Sequence, residues 1–168
     1  MDYSTFAALV DATFYSNNNK EITAVTVNDF MDQVGETLVF TKKTTVTSAE
    51  ILQLNSTPKL LVPGIPGKIL RFVGWDAKWA GRGASYATNT TTFLRHVGSG
   101  SVFLVSNAAV PLTTTQASGF TQMSSLVITS NSGNILEGAG IELGVNTGNP
   151  TAGDFDIDVF VHYKVITP

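Results

Sequence analysis

Residues 154–165 read Asp-Phe-Asp-Ile-Asp-Val-Phe-Val-His-Tyr-Lys-Val, and this stretch decides the fold. Apolar side chains occupy every second position from Phe155 to Val165, and the first positions between them are aspartates, Asp154, Asp156 and Asp158. Because successive side chains of a strand point to opposite faces, one face of this segment is apolar and the other is polar. The pattern predicts a strand from Phe155 to Ile166 that packs one face against a core.

Upstream of this strand, further stretches with strand composition are separated by clusters of Gly, Asn and Pro. The predicted strands span residues 59–62, 68–80, 85–97, 101–105, 124–129 and 135–145. Residues 63–67 contain two prolines and two glycines and are expected to form a turn. About six to eight antiparallel strands of this kind predict an all-β fold, an antiparallel β-sandwich of the jelly-roll type.

The first 45 residues have a different pattern, that of a short helical N-terminal segment. Thr26 with Asp29 three positions later resembles a capping box, and apolar residues follow at helical spacing. This apolar stripe consists of Val27, Phe30, Met31, Val34 and Leu38. A helix this short is marginal in water unless its stripe packs against something, so these five residues are the candidate assembly interface. We divide the chain into an N-terminal attachment or oligomerisation segment, residues 1–45, and a β-sandwich domain, residues 46–168.

The start of the predicted domain carries a second capping pattern. Thr47 is followed three residues later by Glu50, in front of the apolar residues Ile51, Leu52 and Leu54. This arrangement predicts one or two helical turns, which Asn55 and Pro58 end.

Composition excludes several classes of function. The formal net charge is -3 and only 14% of the residues are charged, so the cationic excess that binds nucleic-acid phosphates is absent. No cysteine occurs, which excludes disulfides, thiolate metal sites and a cysteine nucleophile. The sequence has no apolar run of about 18 residues and no basic stretch followed by an apolar one at Met1. We therefore expect no nucleic-acid partner, no membrane span and no signal peptide.

The distribution of charge points to assembly. From His96 to Gly153 the only charged residues are Glu137 and Glu142. Charge keeps isolated domains apart in solution, so a surface this neutral is typical of one that faces other protein. The alternative is a Thr- and Asn-rich β-surface that water hydrates adequately.

The sequence offers little for catalysis. A nucleophilic triad needs a base beside a hydroxyl, and the two imidazoles, His96 and His162, both lie inside predicted strands. No G-x-S-x-G elbow occurs. An enzyme would need a cleft that holds His96 or His162 beside an acid. We expect no enzymatic activity, no catalytic residues and no cofactor.

Two groups of side chains could bind a ligand. Asp154, Asp156 and Asp158 lie on one face of the last strand, where a hard cation could bind if a loop supplied more oxygens; a solvated strand face is the simpler interpretation, and we assign no metal site. Trp75 and Trp79 lie on one face of the strand at 68–80, and with Tyr86 they could stack on sugar rings. Core packing is the alternative role for these three aromatic residues.

Several segments resemble a module of tailed-bacteriophage virion proteins. The opening segment is Val46-Thr-Ser-Ala-Glu-Ile-Leu-Gln-Leu-Asn-Ser-Thr-Pro-Lys-Leu-Leu-Val-Pro63, followed by the turn Gly64–Gly67 and the strand Lys68–Val73. The segment from Gly153 to Val165 is similar to the strand that closes such a module. The stretch from Ile22 through the predicted helix to Leu38 is similar to the short N-terminal part of some phage fibre-like proteins.

This resemblance implies a structural virion protein, in a head-fibre, decoration, tail-fibre or baseplate position. Such proteins are commonly homo-oligomers and carry no catalytic residues. We therefore expect a protein that is assembled in the host cytoplasm and resides in the virion. Its expected partners are copies of itself, three being the expected number, and other phage virion proteins. The alternative function, from the binding class, is recognition of a host-surface glycan through Trp75, Trp79 and Tyr86.

Overall fold

The structure is a computed structural model that describes residues 3–5, 7–8, 34, 36–81, 83–100, 103–108, 112–113, 118–124 and 136–168. Within these residues the chain forms eight strands and one short helix between the first two strands. The elements are β1 (Phe40–Val46), α1 (Ser48–Ile51), β2 (Lys59–Val62), β3 (Ile69–Trp79), β4 (Thr92–His96), β5 (Phe103–Ala108), β6 (Gly119–Ser124), β7 (Ile141–Val145) and β8 (Ile157–Ile166). Residues 3–5, 7–8, 34 and 36–37 are also helical. No helix of the described residues has the length and apolar character that crossing a bilayer requires.

The strands form two four-stranded antiparallel sheets. The first sheet, sheet A, has the order β1-β8-β3-β6, and the second, sheet B, has the order β2-β7-β4-β5. The first strand thus pairs with the last, the second with the seventh, the third with the sixth and the fourth with the fifth. This is the pairing of a long hairpin wrapped into a double-sheet jelly roll. The predicted all-β sandwich is confirmed.

The core lies between the sheets and is built by alternation along the strands. In β8 the side chains of Ile157, Val159, Val161, Tyr163 and Val165 are all buried, and the residues between them are half-buried. The matching inward residues of β3 include Trp75, Ala77 and Trp79. The period-two pattern that predicted the last strand is therefore the pattern that fills the core.

β1 is a strand that the sequence did not predict, and it corrects the predicted domain boundary. All seven of its residues pair with β8, from Phe40 with Tyr163 to Val46 with Ile157. Phe40 and Val46 are buried, but the inward positions between them hold Lys42 and Thr44, so the apolar alternation is broken. Thr44 donates its hydroxyl to the Leu61 carbonyl of β2 at 2.9 Å and so joins the two sheets. The sandwich begins at Phe40, and a boundary between residues 45 and 46 would cut β1.

The predicted turn of helix after β1 is present as α1. Thr47 is its N-cap: the Thr47 hydroxyl accepts from the Glu50 backbone N–H at 3.3 Å, and the Glu50 carboxylate accepts from the Thr47 backbone N–H at 2.9 Å. Glu50 also forms an ion pair with Lys59. The pKa of Glu50 is lowered, mainly by the bond from Lys59 and next by the bond from the Thr47 backbone N–H. The capping box therefore anchors the loop between the two sheets.

Other predicted strands have different limits in the structure. Residues 85–91, predicted as strand, form a loop in which Thr88 and Asn89 have positive φ angles; only β4, at Thr92–His96, is a strand. The predicted strand 135–145 is reduced to β7, because Gly138 makes a turn with a φ of 73°. The predicted strand 101–105 is β5, at Phe103–Ala108, and β6 ends at Ser124, where a strand was predicted to begin. Residues 125–129 lie outside the described residues.

Candidate assembly surface

The predicted N-terminal interface is only partly described. Val27, Phe30 and Met31 lie outside the described residues. Val34 is half-buried, and Leu38, which is 37% exposed, donates its backbone N–H to the Val34 carbonyl at 3.1 Å. This bond matches the end of the predicted helix. The assembly role of the five residues stays a prediction.

The beginning of the chain contacts the sandwich. The Tyr3 ring meets the Phe40 ring edge-on, with 5.4 Å between their centroids. The Tyr3 backbone N–H donates to the Tyr163 hydroxyl at 3.4 Å. The N-terminal segment is therefore tied to sheet A near its first strand.

The three aromatic residues predicted as a sugar platform are buried. The exposed fraction is 1% for Trp75, 5% for Trp79 and 2% for Tyr86. Trp75 and Trp79 do share a face of β3, as predicted, but that face is the core face. A β-carbon on Gly119 would lie 2.3 Å from the Trp79 ring, so this ring packs directly over the glycine of β6.

The Tyr86 ring also packs directly over a glycine. A β-carbon on Gly153 would lie 2.3 Å from its ring, and its hydroxyl donates to the Phe155 carbonyl at 2.7 Å. Burial first, and the charges of Asp156 and Asp154 next, raise the pKa of Tyr86, so the hydroxyl remains a donor. With their ring faces covered, Trp75, Trp79 and Tyr86 do not form a surface on which a sugar could stack.

The three aspartates predicted on the last strand hold neighbouring segments: Asp154 and Asp156 precede β8, and Asp158 lies within it. Asp154 Oδ1 accepts from the backbone N–H groups of Gly83 and Ala84 at 3.0 and 2.8 Å. Asp156 Oδ1 accepts from the Ser48 N–H at 2.7 Å. Asp158 accepts from the Thr45 hydroxyl at 2.6 Å and forms an ion pair with Lys43 at 2.8 Å. Burial alone would raise the pKa of Asp158, but the bonds from Lys43 and Thr45 outweigh it and the pKa is lowered.

The loop between β7 and β8 is hydrogen-bonded to several other loops at one end of the sandwich. Asn149 Oδ1 accepts from the backbone N–H groups of Asn55 and Ser56, at 2.9 and 3.1 Å, in the loop after α1. Ala87 and Thr151 exchange backbone hydrogen bonds of 2.7 and 2.8 Å. In the part of the chain that the structure describes, no group of three His, Cys, Asp or Glu side chains is arranged to hold a metal ion. The aspartates therefore have a structural role, because they accept hydrogen bonds from backbone N–H groups of other loops and from side chains of β1.

His162 lies beside an acid, but on the open face of a sheet. Its Nε2 is 2.9 Å from Asp76 Oδ2 of β3, and its Nδ1 is 2.9 Å from the Thr41 hydroxyl of β1. When Nε2–H donates to Asp76, Nδ1 accepts from Thr41. A hydroxyl, an imidazole and a carboxylate are the components of a nucleophilic triad. Here they come from three adjacent strands and point away from the core, so what the geometry supports is a polar link across β1, β8 and β3.

His96 is the second imidazole, and it is buried at the end of β4. Its side chain is 4% exposed, and its Nδ1 has no hydrogen-bond partner among the described residues. Burial is the main cause that lowers the pKa of His96, and a hydrogen bond with the Gly140 backbone opposes it in part. The ring is therefore neutral in the folded protein at neutral pH.

This burial predicts how stability depends on pH. Below about pH 6.5 the unfolded chain protonates His96 while the folded chain does not, because the folded pKa is lower. Stability should therefore fall as pH drops from about 6.5 towards the folded pKa, by at most about 1.4 kcal/mol per pH unit from this group. Urea unfolding of the wild-type chain and of His96→Gln at several pH values checks this. The free energy of unfolding of the wild-type chain, minus that of His96→Gln, should decrease as pH falls. A difference that does not change with pH would contradict the lowered pKa of His96.

The surface is divided into a charged and a neutral side. Sheet A has outward-facing charged side chains, Lys43, Arg71, Asp76, Lys78, Asp158 and Lys164, in its first three strands. On sheet B, Arg95 pairs with Glu142 at 2.6 Å and its guanidinium lies 5.0 Å from the centre of the Phe93 ring. Strands β5 and β6 contain no charged residue. We call these two strands the neutral edge.

The neutral edge follows from the strand orders. β1 and β2 lie on the same side of the sandwich, where Thr44 joins them. From that side, sheet A continues with β8, β3 and β6, and sheet B continues with β7, β4 and β5. β6 and β5 therefore end the two sheets on the opposite side. The sequence showed that this part of the chain lacks charge but not that it forms one side of the molecule. The glycine contacts of the buried aromatics and the Thr41–His162–Asp76 cluster were also missed, because they join residues distant in sequence.

Comparisons with known proteins give one structural similarity. No protein-family model matches the chain, and no curated protein matches it. A solved structure described as the cyanophage Pam1 capsid asymmetric unit is similar, with a TM-score of 0.42 and 19% sequence identity. The similarity covers 76% of this chain and 83% of that chain. At this level of similarity, the function has to be argued from the molecule itself.

Proposed function

We propose that this chain is a structural subunit of a tailed-phage virion, which acts by assembling with copies of itself and with other virion proteins. The observation that carries the proposal is the neutral edge. No charged residue occurs between Arg95 and Glu137, and this stretch supplies both β5 and β6. Soluble domains usually protect sheet edges with charges, so two uncharged edge strands on one side favour a subunit whose edge is covered.

The sequence resemblance and the architecture agree with this proposal. The resemblance to phage virion modules rests on residues 46–73 and 153–165, which form α1, β2, the start of β3 and most of β8. Double-sheet jelly rolls also occur in viral coat proteins, although a fold alone does not establish a function. A trimer is the expected oligomer, and head-fibre, decoration, tail-fibre and baseplate positions all remain compatible with it.

The N-terminal segment is the proposed docking element on the particle. Its stripe of Val27, Phe30, Met31, Val34 and Leu38 is apolar, and Leu38 and Val39 are 37% and 50% exposed next to β1. Apolar residues that remain accessible in the subunit are suited to bury against another protein. Residues from Phe40 onward belong to the sandwich and are not part of this element.

Particle incorporation tests the proposal. We expect mass spectrometry of purified particles to detect the full chain in many copies, and a chain shortened to residues 34–168 to be lost from them. The shortened chain keeps β1, so it separates docking from folding. A matched point variant is Phe30→Asp, with Val73→Asp as a control at a 38% exposed position of β3. Particles that lack the full chain would overturn the virion role, and undiminished incorporation of residues 34–168 would overturn the docking role.

No observation favours the alternative functions over this one. The glycan hypothesis depended on Trp75, Trp79 and Tyr86, which are buried. The absence of enzymatic activity remains part of the proposal, because the Thr41–His162–Asp76 cluster has a structural use in linking three strands.

A further inference from the structure

The two lateral edges of the sandwich differ in their protection. The edge formed by β1 and β2 contains Lys42, Lys43 and Lys59, and Thr44 closes it by bonding to β2. Lysines on edge strands are a common means of preventing the edge from pairing with another chain. The neutral edge, β5 and β6, has no such residue. Among the described strands, lysines therefore protect one lateral edge of the sandwich, and no charged residue protects the other.

β6 presents both backbone and side-chain groups for association. It pairs with β3 on one side, and among the described residues no strand pairs with its other side. Its Phe120 is 59% exposed, the largest value among the exposed large hydrophobic residues of the described chain. An edge strand with an accessible aromatic ring and no charge gains from burial by another protein surface.

We propose that the neutral edge is the self-association surface of this protein, and that it is covered by the same edge of other copies of the chain. This inference rests on the proposed function. Close to a symmetry axis, identical residues of neighbouring copies approach one another, so a charge at that place would lie near the same charge of the next copy. A surface without charge avoids this repulsion, and the side that carries lysines does not. The neutral edge therefore fits a second copy of this chain better than the edge formed by β1 and β2 does.

The chain contains no cysteine, so single introduced thiols can report on the surface. Phe120→Cys places a thiol on the neutral edge, and Leu60→Cys places one on β2, at the opposite edge. The exposures of the two native side chains are 59% and 48%, so the two thiols should react at similar rates in a free subunit. In the assembled full-length protein we expect alkylation of Phe120→Cys to be at least about tenfold slower than that of Leu60→Cys, because interface cores exclude water. Dissolving both variants in denaturant should equalise the rates.

A charge variant provides the second measurement. Phe120→Lys adds like charges at the proposed interface and should convert the oligomer into monomers in analytical ultracentrifugation, whereas Leu60→Lys should leave it intact. Circular dichroism confirms that both variants fold. If the wild-type chain is oligomeric but Phe120→Cys reacts as fast as Leu60→Cys, or Phe120→Lys still assembles, the inference is overturned and the proposed function stands. A wild-type chain that is monomeric at all concentrations overturns both the inference and self-assembly.

Discussion

Replacing Trp79 with alanine is expected to destabilise the protein by about 3–5 kcal/mol. The Trp79 ring is 5% exposed and lies over Gly119, so its removal leaves a cavity on the core side of β6, which the surrounding structure fills only in part. A domain of ordinary stability has only about 5–15 kcal/mol in total, so this single change removes a large fraction. Thermal unfolding followed by circular dichroism should show a midpoint lower by at least about 6 °C.

A control on the same strand separates core packing from a general effect of truncation. Val73→Ala removes an apolar side chain from β3 at a position that is 38% exposed, and it should change stability by about 0.5 kcal/mol or less. A Trp79→Ala variant with unchanged unfolding would mean that the ring is not a core residue. That result, together with lost adsorption to host cells, would return Trp79 to the glycan hypothesis.

The second large effect on stability is expected when the chain is shortened to the predicted domain boundary, at residue 46. A fragment of residues 46–168 lacks all of β1 except Val46, including the buried Phe40, and leaves the β1 side of β8 unpaired. β8 then keeps β3 as its partner but lacks backbone partners on its other side, and apolar surface of the core is exposed. We expect this fragment to show no cooperative unfolding transition and to aggregate.

The matched fragment is residues 34–168, which keeps β1 and its seven pairs with β8. It should unfold cooperatively, with a modest loss of stability because the Tyr3 contacts with Phe40 and Tyr163 are gone. Urea unfolding of both fragments makes the comparison. If residues 46–168 unfold as cooperatively as residues 34–168, β1 is dispensable and the sandwich does begin at the predicted boundary.

The elements that the sequence predicts well are those with an undisturbed local pattern. The alternation from Phe155 to Val165 corresponds to β8, and Thr47 with Glu50 corresponds to the capping box of α1. β1 escapes prediction because Lys42 and Thr44 occupy inward positions at a sheet edge, where a polar side chain can still reach solvent or the other sheet. Tertiary position, rather than composition, makes this segment a strand.

The candidate site is less predictable, because it depends on which segments the topology brings together. The scarcity of charge, with Glu137 and Glu142 as the only charged residues, was readable along residues 96–153, but the location of the uncharged strands on one side of the molecule follows only from the strand orders. The buried state of Trp79 and Tyr86 depends on Gly119 and Gly153, which are distant in sequence and leave room for the rings. The three aspartates likewise gain their structural role from backbone donors in other loops, among them Ser48 and Gly83.

We propose that this jelly roll is a subunit, one side of which is covered by identical neighbours. Sedimentation velocity of the purified full-length chain, over a wide range of concentrations, measures whether it assembles in this way. We predict a species whose mass is a small whole multiple of the chain mass, with three copies as the expected number. A single species with the mass of one chain at every concentration would contradict the claim.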